Sequence, residues 1–398
     1  MRLARFAPVV VVSLLACSGS TTSTATDASV AADTGTPTAR GPTSDTGLTG
    51  NLPGDEYCNA PRASCSGGAV STCGVCVSPP TRRQPLRRTN CDDTQRREYC
   101  RTGTDVGQAN LACYQQANWP VAGTSERVTM WGTVRVFGNG GDSQHIRVTV
   151  YRVGADGMPG EMIGTAVSDL MHPAHGTEDV LTPTRDRVLF TRNLGAYHIE
   201  NVPTETELLV VTEADAADST AQMLWSHKIY DYNIMLRNAE INVDMAPAAL
   251  PGTRRVRFNA RVISNGDWQS IPATSALTEG IRVGRGALAG EVHDCDDVRL
   301  ANATVESQPR RAWDGPVVYF SDNDTNPLPD LSRAGIGTSL LGTYALLDVE
   351  PGLVTVAATG YDQNMQLVHL GSYRARVFPD SVTIVTFRGL RPWQVPMR

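Results

Sequence analysis

From about residue 125 onward, apolar and polar side chains alternate with a period of two. Thr133-Val134-Arg135-Val136-Phe137 and Ile146-Arg147-Val148-Thr149-Val150 each place aliphatic residues on one side and polar ones on the other, as strands half-buried on one face of a sheet do. Val354-Thr355-Val356 and Val382-Thr383-Ile384 repeat the habit late in the chain. Clusters such as Gly138-Asn139-Gly140-Gly141-Asp142 punctuate the runs, as turns between antiparallel strands require. The expected fold is mostly β. Helical spacing is confined to the segment before it, where Asp92 to Cys100 and Thr104 to Trp119 read as short helices, the second with Leu111, Tyr114 and Ala117 on one face.

One phrase occurs twice. Gly195-Ala196-Tyr197-His198-Ile199-Glu200-Asn201-Val202-Pro203 is matched by Gly342-Thr343-Tyr344-Ala345-Leu346-Leu347-Asp348-Val349-Glu350-Pro351-Gly352. In both, Gly opens a strand, Tyr and an aliphatic residue share one face, and Asn or Asp turns the chain. A second apolar strand follows each, Leu208 to Thr212 and Leu353 to Ala358, and Gly132-Thr133-Val134 and Gly290-Glu291-Val292 precede them as opening strands. Two copies of one domain are expected, each near the roughly 100 residues of a β-sandwich.

This pattern resembles the carboxypeptidase regulatory-like domains, also described as transthyretin- or prealbumin-like sandwiches. Asn302-Ala303-Thr304-Val305 fits their middle element well and Ile146 to Val150 fits it loosely; Thr204-Glu205 stands where Pro-x-Gly is expected, and Glu350 is inserted in the second copy. The resemblance implies two tandem antiparallel β-sandwiches of non-catalytic type, serving as spacers, adhesion units, or carbohydrate- and protein-binding modules. The expected boundaries are 125–245 for the first copy, 246–285 for a bridging segment and 286–398 for the second copy.

The N-terminus reads as an export signal: Arg2 and Arg5, an apolar run from Phe6 to Val12, then Ser13-Leu14-Leu15-Ala16. It is too short to span a bilayer. Leu14-Leu15-Ala16-Cys17 resembles the lipobox of bacterial lipoproteins, which implies cleavage after residue 16 and a lipidated Cys17. Each acyl methylene contributes about 0.8 kcal/mol of membrane affinity, so two or three chains anchor the protein without a helix. Ser18 follows, and by resemblance to the enterobacterial sorting rule it directs the protein to the outer membrane of a bacterial cell envelope. Residues 17–52 contain almost only Ser, Thr, Ala, Asp, Gly and Pro, too little apolar surface to offset ordering, and read as a disordered stalk.

Residues 53–124 carry Cys58, Cys65, Cys73, Cys76, Cys91, Cys100 and Cys113. Export makes a disulfide framework the leading interpretation. Seven is odd, so either Cys295 completes four bridges or one thiol stays free; eight cysteines allow 105 pairings. A four-thiolate zinc site from Cys58, Cys65, Cys73 and Cys76 is the alternative. Arg82-Arg83 and Arg87-Arg88 flank Pro85 in an expected loop.

Charge narrows the partners. The chain holds 35 Lys and Arg against 41 Asp and Glu, a net of −6, and loss of Arg2 and Arg5 with the signal leaves 33 against 41, or −8. Nucleic acid is therefore not an expected partner; the membrane through its lipid, and carbohydrate or envelope proteins, are. No P-loop, dinucleotide fingerprint or nucleophile elbow occurs, and no cofactor is expected. His175-Gly176-Thr177-Glu178 has the H-x-x-E spacing of metallocarboxypeptidase ligands, but Pro173 and Gly176 disfavour a helix aiming His172 and His175 at one metal, and a zinc hydrolase using His172, His175 and Glu178 is the rival reading. Asp322, Asp324 and Asn326 alternate like calcium ligands, yet Pro327 and Arg333 stand where an EF-hand needs Gly and Glu. Asp294, Asp296 and Asp297 around Cys295 invite a similar idea. The sequence thus points to a lipid-anchored envelope protein with a structural, adhesive or ligand-binding role and no catalysis, or to a docking partner in an envelope or secretion assembly.

Overall fold

The alternating runs form strands throughout the residues that the structure, a computed structural model, describes: 65–72, 74–90, 104–115, 120–137, 143–169, 195–243, 250–323 and 328–394. All of them belong to the unit Gly47–Arg398; the unit Met1–Thr46, with Cys17, lies outside the described residues. The cysteine-rich segment contributes a hairpin of β1 (Val70–Thr72) and β2 (Val75–Val77), and the antiparallel pair β3 (Arg87–Asn90) and β4 (Thr104–Gln108). Thr104–Gln108, expected to begin a helix, is therefore a strand: pairing with β3 overrides its weak local periodicity, and among the described residues of that expected helix a 3-10 turn at Ala112–Gln115 is the helical part. β3 itself replaces part of the loop expected around Pro85.

The first copy comprises β5 (Arg127–Val136), β6 (Ile146–Val153), β7 (Pro159–Val167), β8 (Ala196–Pro203), β9 (Leu208–Ala214), helix α1 (Ser219–Leu224), β10 (Ile229–Ile234), β11 (Arg255–Arg257) and β12 (Ala260–Val262). After helix α2 (Asn265–Thr274), the second comprises β13 (Gly286–His293), β14 (Leu300–Ala301), β15 (Thr304–Gln308), β16 (Val317–Tyr319), β17 (Thr343–Val349), β18 (Gly352–Tyr361), β19 (Leu367–Val377), β20 (Val382–Val385) and β21 (Phe387–Arg388). Both helices begin on a side-chain cap, Asp218 accepting from Ala221 N and Ser264 from Asp267 N.

The repeated phrase does the same mechanical work twice. In the first copy β5 pairs antiparallel with β8 and in parallel with β11 and then β12. The break between those two closing strands lies over Gly132, where a Cβ would sit 2.0 Å from the Phe258 carbonyl oxygen. That oxygen accepts a hydrogen bond from Tyr197 Oη at 2.7 Å, and Tyr197 is the register partner of Gly132. In the second copy β13 pairs antiparallel with β17 and in parallel with β20 and then β21. A Cβ at Gly290 would sit 1.9 Å from the Val385 carbonyl oxygen, which accepts from Tyr344 Oη at 2.6 Å, and Tyr344 is the partner of Gly290. Glycine admits the kinked closing strand and the tyrosine hydroxyl satisfies the carbonyl that the kink frees. The residues expected to turn the chain, Asn201 and Asp348, instead lie inside β8 and β17, where both hold left-handed backbone, at φ 61° and 53°, beside a register shift in the β5–β8 and β13–β17 pairing.

This geometry places the closing strand of the first copy inside segment 246–285. The segment is not merely a bridge, because β11 and β12 complete a sheet there. Their parallel pairing joins residues far apart in the chain, and three-residue runs carry no readable period.

Nor do the two sandwiches simply follow one another. β10 of the first copy pairs in parallel with β20 of the second, Ile229 opposite Val382 through Tyr232 opposite Val385. One nine-stranded sheet results, in the order β7, β6, β9, β10, β20, β13, β17, β16, with β21 beside β13. Its first half packs on the sheet of β11, β12, β5 and β8 around Met130, Val134, Val148, Tyr197 and Val210. Its second half packs on β15, β18 and β19 around Leu288, Tyr344, Val356, Leu370 and Phe387. Apart from these parallel closing and joining strands, the pairs are antiparallel, and the fold is a mostly β sandwich architecture.

Candidate functional site

Where the two copies meet, ionised side chains from β12, β13, β21 and the turn after β13 converge. Glu291 is the hub. Its Oε1 accepts from Arg261 Nη2 and Arg299 Nη2, both at 3.0 Å, and its Oε2 from Arg299 Nε at 3.2 Å. His293 Nε2 lies 2.8 Å from Glu291 Oε2 and its Nδ1 lies 2.7 Å from Asp297 Oδ1. Arg388 Nη1 closes the chain on Asp297 Oδ2 at 3.2 Å. The group is assembled because strand β13 carries Glu291 and His293 on one side, two residues apart, while β21 pairs with β13 and β12, in the other sheet, reaches across with Arg261. A histidine between two carboxylates resembles a proton relay in outline. Here arginines take up the carboxylate oxygens, and what the arrangement does is lock closing and opening strands of different copies together.

Charge and burial oppose each other in this cluster. Burial alone would raise Glu291, but Arg261, Arg299 and the His293 hydrogen bond outweigh it and hold the carboxyl well below its usual range. Asp297 behaves likewise, burial opposing and Arg388 and His293 prevailing. Asp231 on β10 is different: burial raises it to about 6 against the pull of Arg261 and Arg388, and its Oδ1 has no hydrogen-bond partner. Burial likewise raises Glu207 to about 6, although Tyr373 Oη donates to it at 2.5 Å, and burial lowers His369 to about 3.

These shifts predict an acid-side stability maximum. Asp231 and Glu207, raised in the fold, contribute stability below about pH 4 that is lost as pH rises through about 6. Glu291 and Asp297, depressed, contribute above about pH 4 and lose it below, and His369, depressed, loses its contribution progressively below about pH 6.5. Two groups gain protons against one that resists, so denaturant unfolding across a pH series should show stability rising from about pH 6 to about pH 4.5 and falling below about 4. Asp231→Asn should remove part of that rise and stabilise the protein by about 1–3 kcal/mol at pH 7.5. A stability curve that falls steadily from pH 7 downward would contradict both statements.

The opposite face of the joint carries an apolar cavity of about 40 Å³, floored by Ala287, Ala289 and Ala345 and roofed by Trp268 and Ile271 of α2. Glu291 and Arg261 reach one end of it. A cavity that takes benzene is nearer about 150 Å³, so this one is a packing gap left by small residues under a helix.

The cysteine-rich segment is clamped to the second copy beside the ionic hub. Cys113 is disulfide-bonded to Cys295, and Asn110 exchanges backbone hydrogen bonds there, accepting from Cys295 N and donating to Asp294 Oδ2 at 2.9 Å. Arg88 pairs with Asp294 at 2.7 Å and Asp296 at 2.8 Å, and Tyr114 Oη donates to the His293 carbonyl. The bridge closes a separation of 182 residues, so loop entropy in the unfolded chain is large. The double substitution Cys113→Ala with Cys295→Ala should lower unfolding free energy by about 2–4 kcal/mol. Loss of the Cys65–Cys76 bridge, which spans 11 residues, should cost less in the same assay. Equal costs for the two would show that strain or residual structure, not loop length, sets the effect.

Of the cysteines singled out by sequence, Cys65, Cys76, Cys113 and Cys295 are thus bridged, which removes Cys65 and Cys76 from a four-thiolate zinc site. Cys58, Cys73, Cys91 and Cys100 lie outside the described residues, as do His172, His175, Glu178, Asp324 and Asn326. Asp322 Oδ1 accepts from Leu340 N at 2.7 Å, a bond that ties its loop to the segment before β17. Among the described residues no group of three or more His, Cys, Asp and Glu is arranged to hold a metal ion. The acidic run around Cys295, read as calcium-like, instead faces Arg88, His293 and Arg388. Glu291, His293, Arg261, Arg299 and Arg388 carried no signal of their own: each looks like one polar residue on an alternating strand or turn, and only that acidic run hinted at the cluster.

No family model matches the chain, and no curated protein matches it. Among solved structures, the shaft pilin SpaA from Lactobacillus rhamnosus GG is similar at 8% identity and a TM-score of 0.16, covering 66% of this chain and 97% of that one. A single aspartate-to-asparagine mutant of the same pilin is similar at 8% identity and a TM-score of 0.17 over the same shares. The similarity to this shaft pilin is weak.

Proposed function

We propose that this chain is an exported lipoprotein that uses lipid on Cys17 and a stalk to present a rigid, non-catalytic two-copy sandwich block in a structural, adhesive or ligand-binding role. The observation that carries the reading is the joint. A sheet continuous through both copies and tied across the joint by the Glu291 cluster favours a block that resists bending, as a structural or display element must. The carboxypeptidase regulatory-like phrase supports the same role, since such domains are normally accessories. The placement is the outer membrane of a bacterial envelope, and the partners are the bilayer through the lipid, carbohydrate, or envelope proteins.

Metabolic labelling with an alkyne-bearing fatty acid, followed by envelope fractionation, tests the anchor. The wild-type chain should carry the label and sediment with membranes, and Cys17→Ala should lose both. An unlabelled wild-type chain in the soluble fraction would overturn the proposal.

A further inference from the structure

Trp313 stands apart from the other tryptophans that the structure describes. Trp131 is buried and Trp225, Trp268 and Trp393 are partly buried, whereas Trp313 is 55% exposed. An indole left in water forgoes a large burial gain, so its exposure calls for a reason.

The loop that carries it is pinned with unusual thoroughness. The indole N–H donates to Glu350 Oε2 at 3.1 Å, and the same oxygen pairs with Arg311 Nε at 2.7 Å. The Arg311 guanidinium lies 5.8 Å from the ring centroid. Arg282 Nη2 donates to the Trp313 carbonyl at 2.8 Å while its Nε holds Asp348 Oδ2, also at 2.8 Å. Asp314, next in the chain, accepts from Arg311 N at 2.7 Å and from Arg285. The ring is held out rigidly rather than left to move, so little conformational freedom is lost when something stacks on it.

We infer that Trp313 is the stacking platform of a binding site for a neutral glycan, with Glu350 and Arg311 as its polar rim. The inference rests on the ligand-presenting role proposed above. A pyranose has an apolar face of C–H groups that packs on an indole, and an equatorial ring of hydroxyls that needs fixed donors and acceptors at its edge. Glu350 and Arg311 offer both; their side chains are 39% and 49% exposed. The charges cancel, Arg282 and Arg285 against Asp348 and Asp314, and Arg311 against Glu350, so the corner favours an uncharged ligand. A protein interface is the poorer fit, because it needs about 800 Å² per partner with an apolar centre. Beyond Trp313, the large apolar side chain exposed next to these residues in the chain is Val283, adjacent to Arg282.

The test uses the full lipidated chain in a polyoxyethylene detergent, which contains no sugar, titrated calorimetrically with cello-, manno-, xylo-, malto- and N-acetylglucosamine hexamers and with acidic polygalacturonate. The expected result is binding of a neutral hexamer with Kd between about 10 μM and 1 mM. Trp313→Ala should weaken it about tenfold or more at an unchanged thermal midpoint, and Trp313→Phe should retain part of it. Neutral binding that Trp313→Ala leaves intact would overturn the platform while sparing the ligand-binding role. Binding of the acidic polymer alone, no binding at all, or Trp313-dependent capture of an envelope protein in its place would overturn the glycan assignment. Lipid labelling of Cys17 would stand or fall independently of each.

Discussion

Gly290→Ala is expected to cost about 4 kcal/mol or more of unfolding free energy, among the largest effects of any single methyl group in this protein. The new Cβ would lie 1.9 Å from the Val385 carbonyl oxygen and 3.0 Å from the Tyr344 hydroxyl. Backbone on both sides is tied into β13, β17 and β20, so neither neighbour can yield without breaking strand pairing. Gly132→Ala should behave alike, its Cβ meeting the Phe258 carbonyl oxygen at 2.0 Å. Tyr344→Phe keeps the ring and removes the donor to that buried carbonyl, at a cost of about 1–3 kcal/mol. Gly266→Ala in α2 is the control: its Cβ would meet only Ser264 Oγ at 3.6 Å, and the helix should gain about 0.5–1 kcal/mol. Urea unfolding of the four variants measures these differences. Near-wild-type stability for both strand glycine variants would mean that the kinked closing strand is not the shared device of the two copies.

Glu291→Ala should cost about 3–5 kcal/mol, because it leaves Arg261, Arg299 and His293 facing one another inside the joint without their common anion. The cost measures an uncompensated buried charge rather than the worth of the intact cluster, which an apolar replacement of the whole set need not reduce. Arg152→Ala offers the comparison. Its pair with Glu161 is 41% and 74% exposed, and breaking it should change stability by about 1 kcal/mol or less. Equal effects for the two substitutions would show that the joint is held by its apolar cores and β10–β20 pairing alone. Hydrogen exchange adds position: with Glu291→Ala, protection should fall first in β12, β13 and β21, the strands the cluster ties together.

Much of the candidate platform and joint was legible only in part. The exposed tryptophan could be named from the chain, yet nothing in Arg311-Ala312-Trp313-Asp314 distinguishes an indole held in solvent from one in a core. That distinction depends on Arg282, from the segment before β13, and on Asp348 and Glu350, at and just past the end of β17. The cysteine count raised the choice between a reach-back bridge and a free thiol, and spatial proximity of Cys113 and Cys295 supplies the bridge. The helix expected from Thr104 failed because a three-point apolar stripe is weak evidence beside four to five residues of strand pairing.

What the amino-acid order determined by itself is local: strands from period-two alternation, left-handed backbone at Asn201 and Asp348, which proved to be bulges and not turns, and two copies from a phrase whose Gly and Tyr recur in register. Those features are readable because pleat, left-handed backbone and close approach each restrict residue type within a few positions. What only the tertiary structure decided is how the copies close and join. β11, β12, β20 and β21 pair in parallel with strands far away in the chain, so no turn announces them, and β10 meets β20 across the copies without any motif. The Glu291 cluster belongs to the same class, since Arg261 and Arg388 reach Glu291 and Asp297 from 30 and 91 residues away, and neither end of such a pair records the other.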